Sequence, residues 1–136
     1  MSVVKPAIVT LLKADATIPG LVASRIFPEV PPEGTAIYPL ITVTAQKPAQ
    51  PERTFQTVAF EDSVWLVRAC EQSTSPAKVA EINRAIRAAM DGATLTISGY
   101  ESLNVEWLGD YETHEVYNGQ IYQYEGGFYR IWIQTS

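Results

Sequence analysis

Few residues in this sequence of 136 could carry out chemistry. It contains one histidine, His114, and one cysteine, Cys70, so HExxH zinc sites and clusters of cysteine and histidine ligands lack the side chains they need. His114 lies in the alternating run DYETHEVY, which favours a half-exposed strand residue over a general base. Paired carboxylates such as Glu61–Asp62 are predicted to be solvated, because nothing indicates the burial that acid–base catalysis requires. The sequence therefore predicts no enzymatic activity, no metal and no cofactor.

Motifs for nucleotides and for activated nucleophiles are also missing. The glycines form no GxGxxG, GxxxxGK[ST] or GxSxG pattern and fall where turns need them. Cys70 ends the apolar run SVWLVRAC, which favours a buried structural thiol over a reactive one. The N-terminus lacks the pattern of a signal peptide, and no apolar run is long enough to span a bilayer. We therefore expect a protein of a reducing cytoplasm that does not contact membranes.

The negative charge is concentrated near the C-terminus. The net charge is −5, and residues 101–136 contain six acidic side chains against one basic side chain, Arg130. Such a balance disfavours attraction to DNA phosphates, which requires clustered lysine and arginine. We expect no sequence-specific binding of nucleic acid.

The hydrophobic pattern predicts an α+β fold. Apolar residues at helical spacing predict helices over residues 3–15 and from Ser75–Pro76 to Met90, with a short turn stopped at Pro19–Gly20. Alternating residues predict strands over 40–46 and 63–70, and Asn118–Gly119 predicts a hairpin between the last two strands. The predicted order is α-β-β-β-α-β-β-β, with an antiparallel sheet that carries the two main helices on one face. By length, residues 1–136 should form a single domain.

Two segments rich in proline are predicted to be ordered connections. Residues 24–44 contain four prolines between two apolar runs, and residues 47–57, KPAQPERTFQT, exceed what a hairpin turn requires. Prolines fix φ and lower the entropy lost when a long loop becomes ordered. We therefore interpret residues 47–57 as a projecting arm between two antiparallel strands.

Aromatic residues crowd the C-terminal third of the chain. Tyrosines at 111, 117, 122 and 124 alternate with polar residues, and sheet packing explains most of them. Tyrosine is also favoured at protein contacts, so an interface role for some of them stays open. A small α+β ligand-binding or enzyme domain with a site lined by tyrosines is an alternative, and it predicts a deep concave pocket.

The chain resembles the tail completion and tail terminator proteins of long-tailed bacteriophages and prophages. The resemblance covers nearly the whole chain and is carried by LLKADATIPGLVASRIFPEVPP, then YPLITV, the helix SPAKVAEINRAIRAAM and the final strand GGFYRIWIQ. Its most specific part is the spacing from Leu11–Leu12 through Leu21–Val22 and Arg25–Ile26 to Pro39.

The resemblance implies a structural protein whose function lies in its surfaces. Such proteins form a ring, often of six copies, which ends polymerisation of the tail tube and offers a face to the head–tail connector. The implied partners are other copies of the chain, the tail tube protein and the connector protein, with the genome passing through the ring. The implied location is the bacterial cytoplasm during assembly and then the head–tail junction of the virion. A connector stopper or joining protein is the alternative within phage assembly.

We predict two groups of functional residues on this basis. The contact residues in the proline-rich segments are Lys47, Gln50, Arg53, Phe55, Pro31 and Pro32. The acidic residues that could line a channel for DNA are Glu112, Glu115 and Glu125, since a lumen that does not attract phosphates lets the genome slide.

Overall fold

The computed structural model describes residues 3–28, 37–54, 57–102 and 104–135, and of residues 47–54, 57–60 and 135 it describes the backbone alone. The elements in chain order are α1 (Val4–Ala14), α2 (Ile18–Val22), β1 (Ile26–Pro28), β2 (Leu40–Thr54), β3 (Thr57–Gln72), α3 (Ala77–Met90), β4 (Tyr100–Ser102), β5 (Glu106–Tyr117) and β6 (Gln120–Thr135). The predicted α+β class is confirmed.

Helices α1 and α2 follow each other with almost no connection. Asp15 joins them, because its Oδ2 accepts hydrogen bonds from the backbone N–H groups of Thr17 at 2.9 Å and Ile18 at 3.0 Å. The predicted stop at Pro19–Gly20 is wrong, since α2 continues to Val22. Proline in the first turn of a helix removes only a donor that has no partner there.

Helix α3 agrees with its sequence signals. The Ser75 Oγ accepts a hydrogen bond from the Ala77 N–H at 3.2 Å, which satisfies one of the free donors at the start of the helix. Its buried apolar residues are Val79, Ile82, Ile86 and Met90. Their spacing of three and four residues places them on one face of the helix.

The described strands form one mixed sheet in the order β1-β2-β3-β6-β4, and β5 also pairs with β6. Every pair is antiparallel except β1 and β2, which run parallel, so the sheet departs from the wholly antiparallel arrangement predicted. The predicted turn at Asn118–Gly119 is present between β5 and β6, with φ values of 50° and 75°. Such positive φ values are typical of the tight turns that join antiparallel strands.

The predicted loop at residues 47–57 is instead mostly strand. β2 and β3 stay paired as far as Thr54↔Thr57, with register shifts between Ala45 and Lys47, between Lys47 and Gln50, and between Glu52 and Arg53. Pairing of β3 with β6 begins only at Phe60↔Gln134, so the end of the β2–β3 hairpin extends past that pairing. Proline disfavours a central strand, but an edge strand with bulges accepts it.

The two faces of the sheet have different neighbours. On the helix face, residues such as Val67, Tyr129 and Ile131 pack with α1, α2 and α3 in one buried core. The alternate residues form the opposite face, which includes Leu66, Arg68, Cys70, Tyr124 and Phe128, and none of these belongs to that core. We call this second surface the open face.

Candidate assembly interface

The open face contains a cluster of aromatic residues around one arginine. The guanidinium carbon of Arg68 lies 4.6 Å from the ring centroid of Tyr124 and 5.6 Å from that of Tyr111. Arg68 Nη1 donates a hydrogen bond to the Tyr111 hydroxyl at 3.2 Å, and the Tyr111 ring meets Phe128 edge to face at 6.0 Å. These four residues, from β3, β5 and β6, form what we call the tyrosine cluster. Arginine and tyrosine together are typical of the energetically important centres of protein interfaces.

Two polar atoms beside the tyrosine cluster are buried without a hydrogen-bond partner among the described residues. The Nε of Arg68 is buried and has no hydrogen-bond partner within the described part of the chain. The Thr42 hydroxyl is also buried without a hydrogen-bond partner among the described residues, and Thr42 lies opposite Arg68 in the sheet. Buried polar atoms without partners cost free energy, but these atoms are inaccessible in the subunit, so they do not offer contacts to another chain.

Cys70 lies beside this cluster and is buried, as predicted. Burial is the main cause that raises the pKa of the Cys70 thiol to about 11, and the hydrogen bond with Tyr124 opposes this shift. A thiol with so high a pKa carries little thiolate at neutral pH and is a poor nucleophile. The residue therefore serves packing.

Within the described part of the chain, the residues of the tyrosine cluster do not enclose a deep pocket. The rings of the tyrosine cluster contact one another and Arg68. A shallow cleft of about 280 Å³ lies near Tyr124, between β5, β6 and the start of α3, and includes exposed His114. No group of three or more metal-ligating side chains is assembled among the residues that the structure describes.

The three acidic residues predicted to line a channel lie on two different faces. Glu112 and Glu125 are directly opposite each other on β5 and β6, and Glu125 lies on the helix face beside Asn83 of α3. Glu115 lies on the open face, where its Oε2 accepts a hydrogen bond from the Tyr124 hydroxyl at 3.4 Å. One channel surface can therefore use Glu112 and Glu125, but not all three.

Glu125 has a perturbed environment. Burial raises the pKa of its carboxyl group, and the neighbouring charges of Glu112 and Asp110 raise it further. The Asn83 Nδ2 donates a hydrogen bond to Glu125 Oε2 at 3.1 Å, which opposes the shift. The positive charge of Arg84 also opposes the shift, so three carboxyl groups share this surface with one nearby arginine.

Strand β5 is an open edge of the sheet. It pairs with β6 on one side, and no described strand pairs with its other side. Its acidic residues are Glu106, Asp110, Glu112 and Glu115, and none forms a salt bridge within the described residues. Leu108, Val116 and Tyr117 are exposed by 46%, 68% and 68% on the same strand. An open edge is a template for pairing with another chain.

The predicted contact residues of the proline-rich segments are only partly described. Lys47, Gln50 and Arg53 lie on β2 opposite Val64, Asp62 and Val58 of β3, and their side chains are outside the description. Pro31, Pro32 and Phe55 lie outside the described residues altogether. The structure therefore places the first three on one edge of the sheet without testing their role.

Arg68 was not among the functional residues predicted from the sequence. Its neighbours Val67 and Ala69 are buried on the helix face, so strict alternation in WLVRAC already placed Arg68 on the other face. The partners of Arg68 come from β5 and β6, and their identity required the register of three strands.

No helix in the described ranges combines the length and the apolar character needed to span a membrane. Among curated protein sequences, none matches this chain. One similar solved structure is a chain of the "Virion of native gene transfer agent (GTA) particle", with a TM-score of 0.75 at 18% sequence identity. The similarity covers 96% of this chain and 93% of that chain, and at this identity it shows a shared fold. The family model described as "Tail completion protein gp17" matches residues 6–131. Because that match spans most of the 136 residues, the chain belongs to the tail completion protein gp17 family.

Proposed function

We propose that this chain is the tail terminator of a long-tailed phage or phage-like particle. Several copies form a ring on the head-proximal end of the tail tube, where the ring ends polymerisation and provides the surface to which the head attaches. Membership of a tail completion family carries this proposal. The fold shared with a chain of a gene transfer agent virion supports a structural component of a particle.

The surfaces of the subunit suit assembly. The sheet offers open edges, and the open face contains the tyrosine cluster, whose composition is typical of protein contacts. Heterologous contacts between identical subunits give a closed ring when the rotation between neighbours closes. The proposed partners are neighbouring copies, the tail tube protein on one side of the ring and the connector protein on the other.

The acidic pair on the helix face suits a channel for the genome. Glu112 and Glu125 lie opposite each other, with Asp110 two residues before Glu112 on β5. Negative charge in a lumen repels the DNA phosphates, so the genome slides through the ring without being held. Charge-neutral variants of this pair should therefore slow DNA release without preventing ring assembly.

A connector stopper is the second candidate, since tail completion also describes the joining of a finished tail to the head. The two functions differ in what their loss does to tail length. Without a terminator, tube polymerisation continues and tails become longer than normal. Without a stopper, tails keep their normal length but stay unattached to heads.

The test is electron microscopy of particles made after the gene for this chain is deleted. The proposal predicts tails with a broad length distribution that extends well beyond the wild-type length. Complementation with the intact gene should restore the normal length. Unattached tails of uniform normal length would overturn the terminator in favour of the stopper, and normal joined particles would overturn both.

A further inference from the structure

The sheet has two edges that lie at opposite ends of its strand order. β5 forms one edge, without a described strand on its outer side. β2 lies near the other edge, where β1 pairs with it only from Ile41 to Val43. Residues 44–54 of β2 therefore extend beyond β1 with no described strand on their outer side.

We propose that β5 of one copy pairs in antiparallel orientation with residues 44–54 of β2 in the next copy. The sheet would then continue from subunit to subunit around the ring. This inference rests on the proposed ring and identifies the contact that builds it. The occupant of the β5 edge is thus a second copy of this chain.

The directions of the strands favour this contact. β2, β3, β6 and β5 are joined by antiparallel pairs, so the two outermost strands run in opposite directions. A rotation about the ring axis leaves the direction of each strand relative to that axis unchanged. β5 therefore meets the neighbour's β2 in the same antiparallel relation that holds within each subunit.

The charges on the two edges also favour this contact. β5 carries Glu106, Asp110, Glu112 and Glu115 and contains no lysine or arginine. Residues 44–54 carry Lys47 and Arg53 against one acidic residue, Glu52. A two-fold contact between β5 and β5 would place acidic residues against acidic residues, which is destabilising. Charge therefore favours the head-to-tail contact, which closes into a ring.

The prolines of β2 limit the pairing to parts of the edge. Pro48 and Pro51 lack the N–H group that a sheet ladder uses, and register shifts lie on both sides of Lys47. Continuous pairing over all eleven residues is therefore excluded. The contact is expected on either side of the prolines, at residues 44–47 and 52–54.

Disulfide cross-linking between copies tests the contact. One cysteine replaces Thr113 on β5, and a second replaces Thr44, Gln46 or Thr54 on β2, with one pair in each variant. The native Cys70 is buried, so oxidation acts on the introduced pair. Each variant is oxidised at high concentration, alone and with the tail tube protein of the same genome. Controls are the single-cysteine variants and Thr113→Cys combined with Lys13→Cys on exposed α1.

The proposal predicts a ladder of cross-linked species that ends at the ring size for at least one β5–β2 pair, and none for the controls. Light scattering on the same samples shows whether a ring forms, independently of whether the β5–β2 contact builds it. A ring without any β5–β2 cross-link would overturn this contact and leave the proposed ring intact. Absence of a ring, both alone and with the tube protein, would overturn the ring and this contact together.

Charge reversal provides a second test with its own rescue. Glu106→Lys with Glu115→Lys removes acidic charge from exposed positions of β5, and should raise the concentration needed for half-maximal assembly by about tenfold. Adding Lys47→Glu and Arg53→Glu should restore assembly. Equal assembly of the reversed variant and the native chain would contradict the contact.

Discussion

Gly126 should be the glycine of the sheet that tolerates substitution least. It lies in β6 between Arg68 of β3 and Tyr111 of β5. A Cβ added there would collide with the backbone oxygen of Val67 and would lie 2.5 Å from both Cα and Cβ of Arg68. The Val67 oxygen and the Arg68 Cα belong to the backbone, so a change of rotamer cannot relieve these two contacts. β6 and β3 would have to separate by about 1 Å to restore ordinary carbon–carbon contact at about 3.5 Å.

The cost of this separation can be bounded. Overpacking of a well-packed site costs about 1–3 kcal/mol. Replacing glycine by alanine recovers about 0.4–1 kcal/mol through the unfolded state, but only where the folded conformation is not strained. We therefore expect Gly126→Ala to lower the free energy of unfolding by about 2 kcal/mol. The tyrosine cluster should be disturbed too, because Arg68 belongs to it.

Gly20→Ala is the matched control. Gly20 lies inside α2, and an added Cβ would have no neighbouring atom within 4 Å. Alanine there should raise the free energy of unfolding by up to about 1 kcal/mol. Urea unfolding followed by tryptophan fluorescence measures both variants, at a concentration where light scattering shows the same oligomeric state for all samples. A Gly126→Ala midpoint and slope equal to those of the native chain would show that the sheet accommodates the added Cβ without cost.

Three further predictions concern single groups. Glu125→Gln should raise the free energy of unfolding at neutral pH. The pKa of the Glu125 carboxyl is raised in the folded chain, so between the ordinary pKa and the raised pKa the native state binds more protons than the unfolded state. The free energy of unfolding therefore falls as pH rises through that window, and glutamine removes this loss. Urea midpoints from pH 4 to pH 8 should thus vary less in Glu125→Gln, and parallel curves for the two proteins would contradict this. Cys70, with its thiol pKa raised from 9.0 to about 11, should react with a thiol reagent at pH 8 about a hundredfold more slowly in the folded chain than in urea, and equal rates would show an accessible thiolate. Tyr129→Phe should leave the free energy of unfolding unchanged or raise it by up to about 1 kcal/mol, since the Tyr129 hydroxyl is buried without a partner among the described residues; a loss above about 1 kcal/mol would contradict this.

The parts of the fold that local signals determine could be predicted from the sequence. Helix α3 combines Ser75 as a capping residue with four apolar residues on one face, and each signal acts within a few residues. The Asn118–Gly119 turn is also local, because only the backbone of the turn residues must adopt positive φ. The burial of Cys70 followed from its apolar neighbours.

The parts that depend on distant neighbours could not be predicted. Proline at 48 and 51 disfavours a central strand, but β2 lies near an edge there, and its position in the sheet depends on pairing with β1 and β3. The parallel pairing of β1 with β2 has no local signature either. For the candidate site, alternation along one strand already places Glu112 and Glu115, three residues apart, on opposite faces. The pairing of Glu112 with Glu125, in contrast, required the register of β5 and β6.

The proposed function of this chain is to end the polymerisation of the tail tube. The most direct test is polymerisation of the purified tube protein of the same genome, with and without this chain at a ratio far below one chain per tube subunit. We expect shorter tubes that each carry a ring at one end, visible by electron microscopy. The ring mass should be about 90 kDa if six 15.0 kDa chains are present. Tubes of unchanged length without rings would contradict the proposed function.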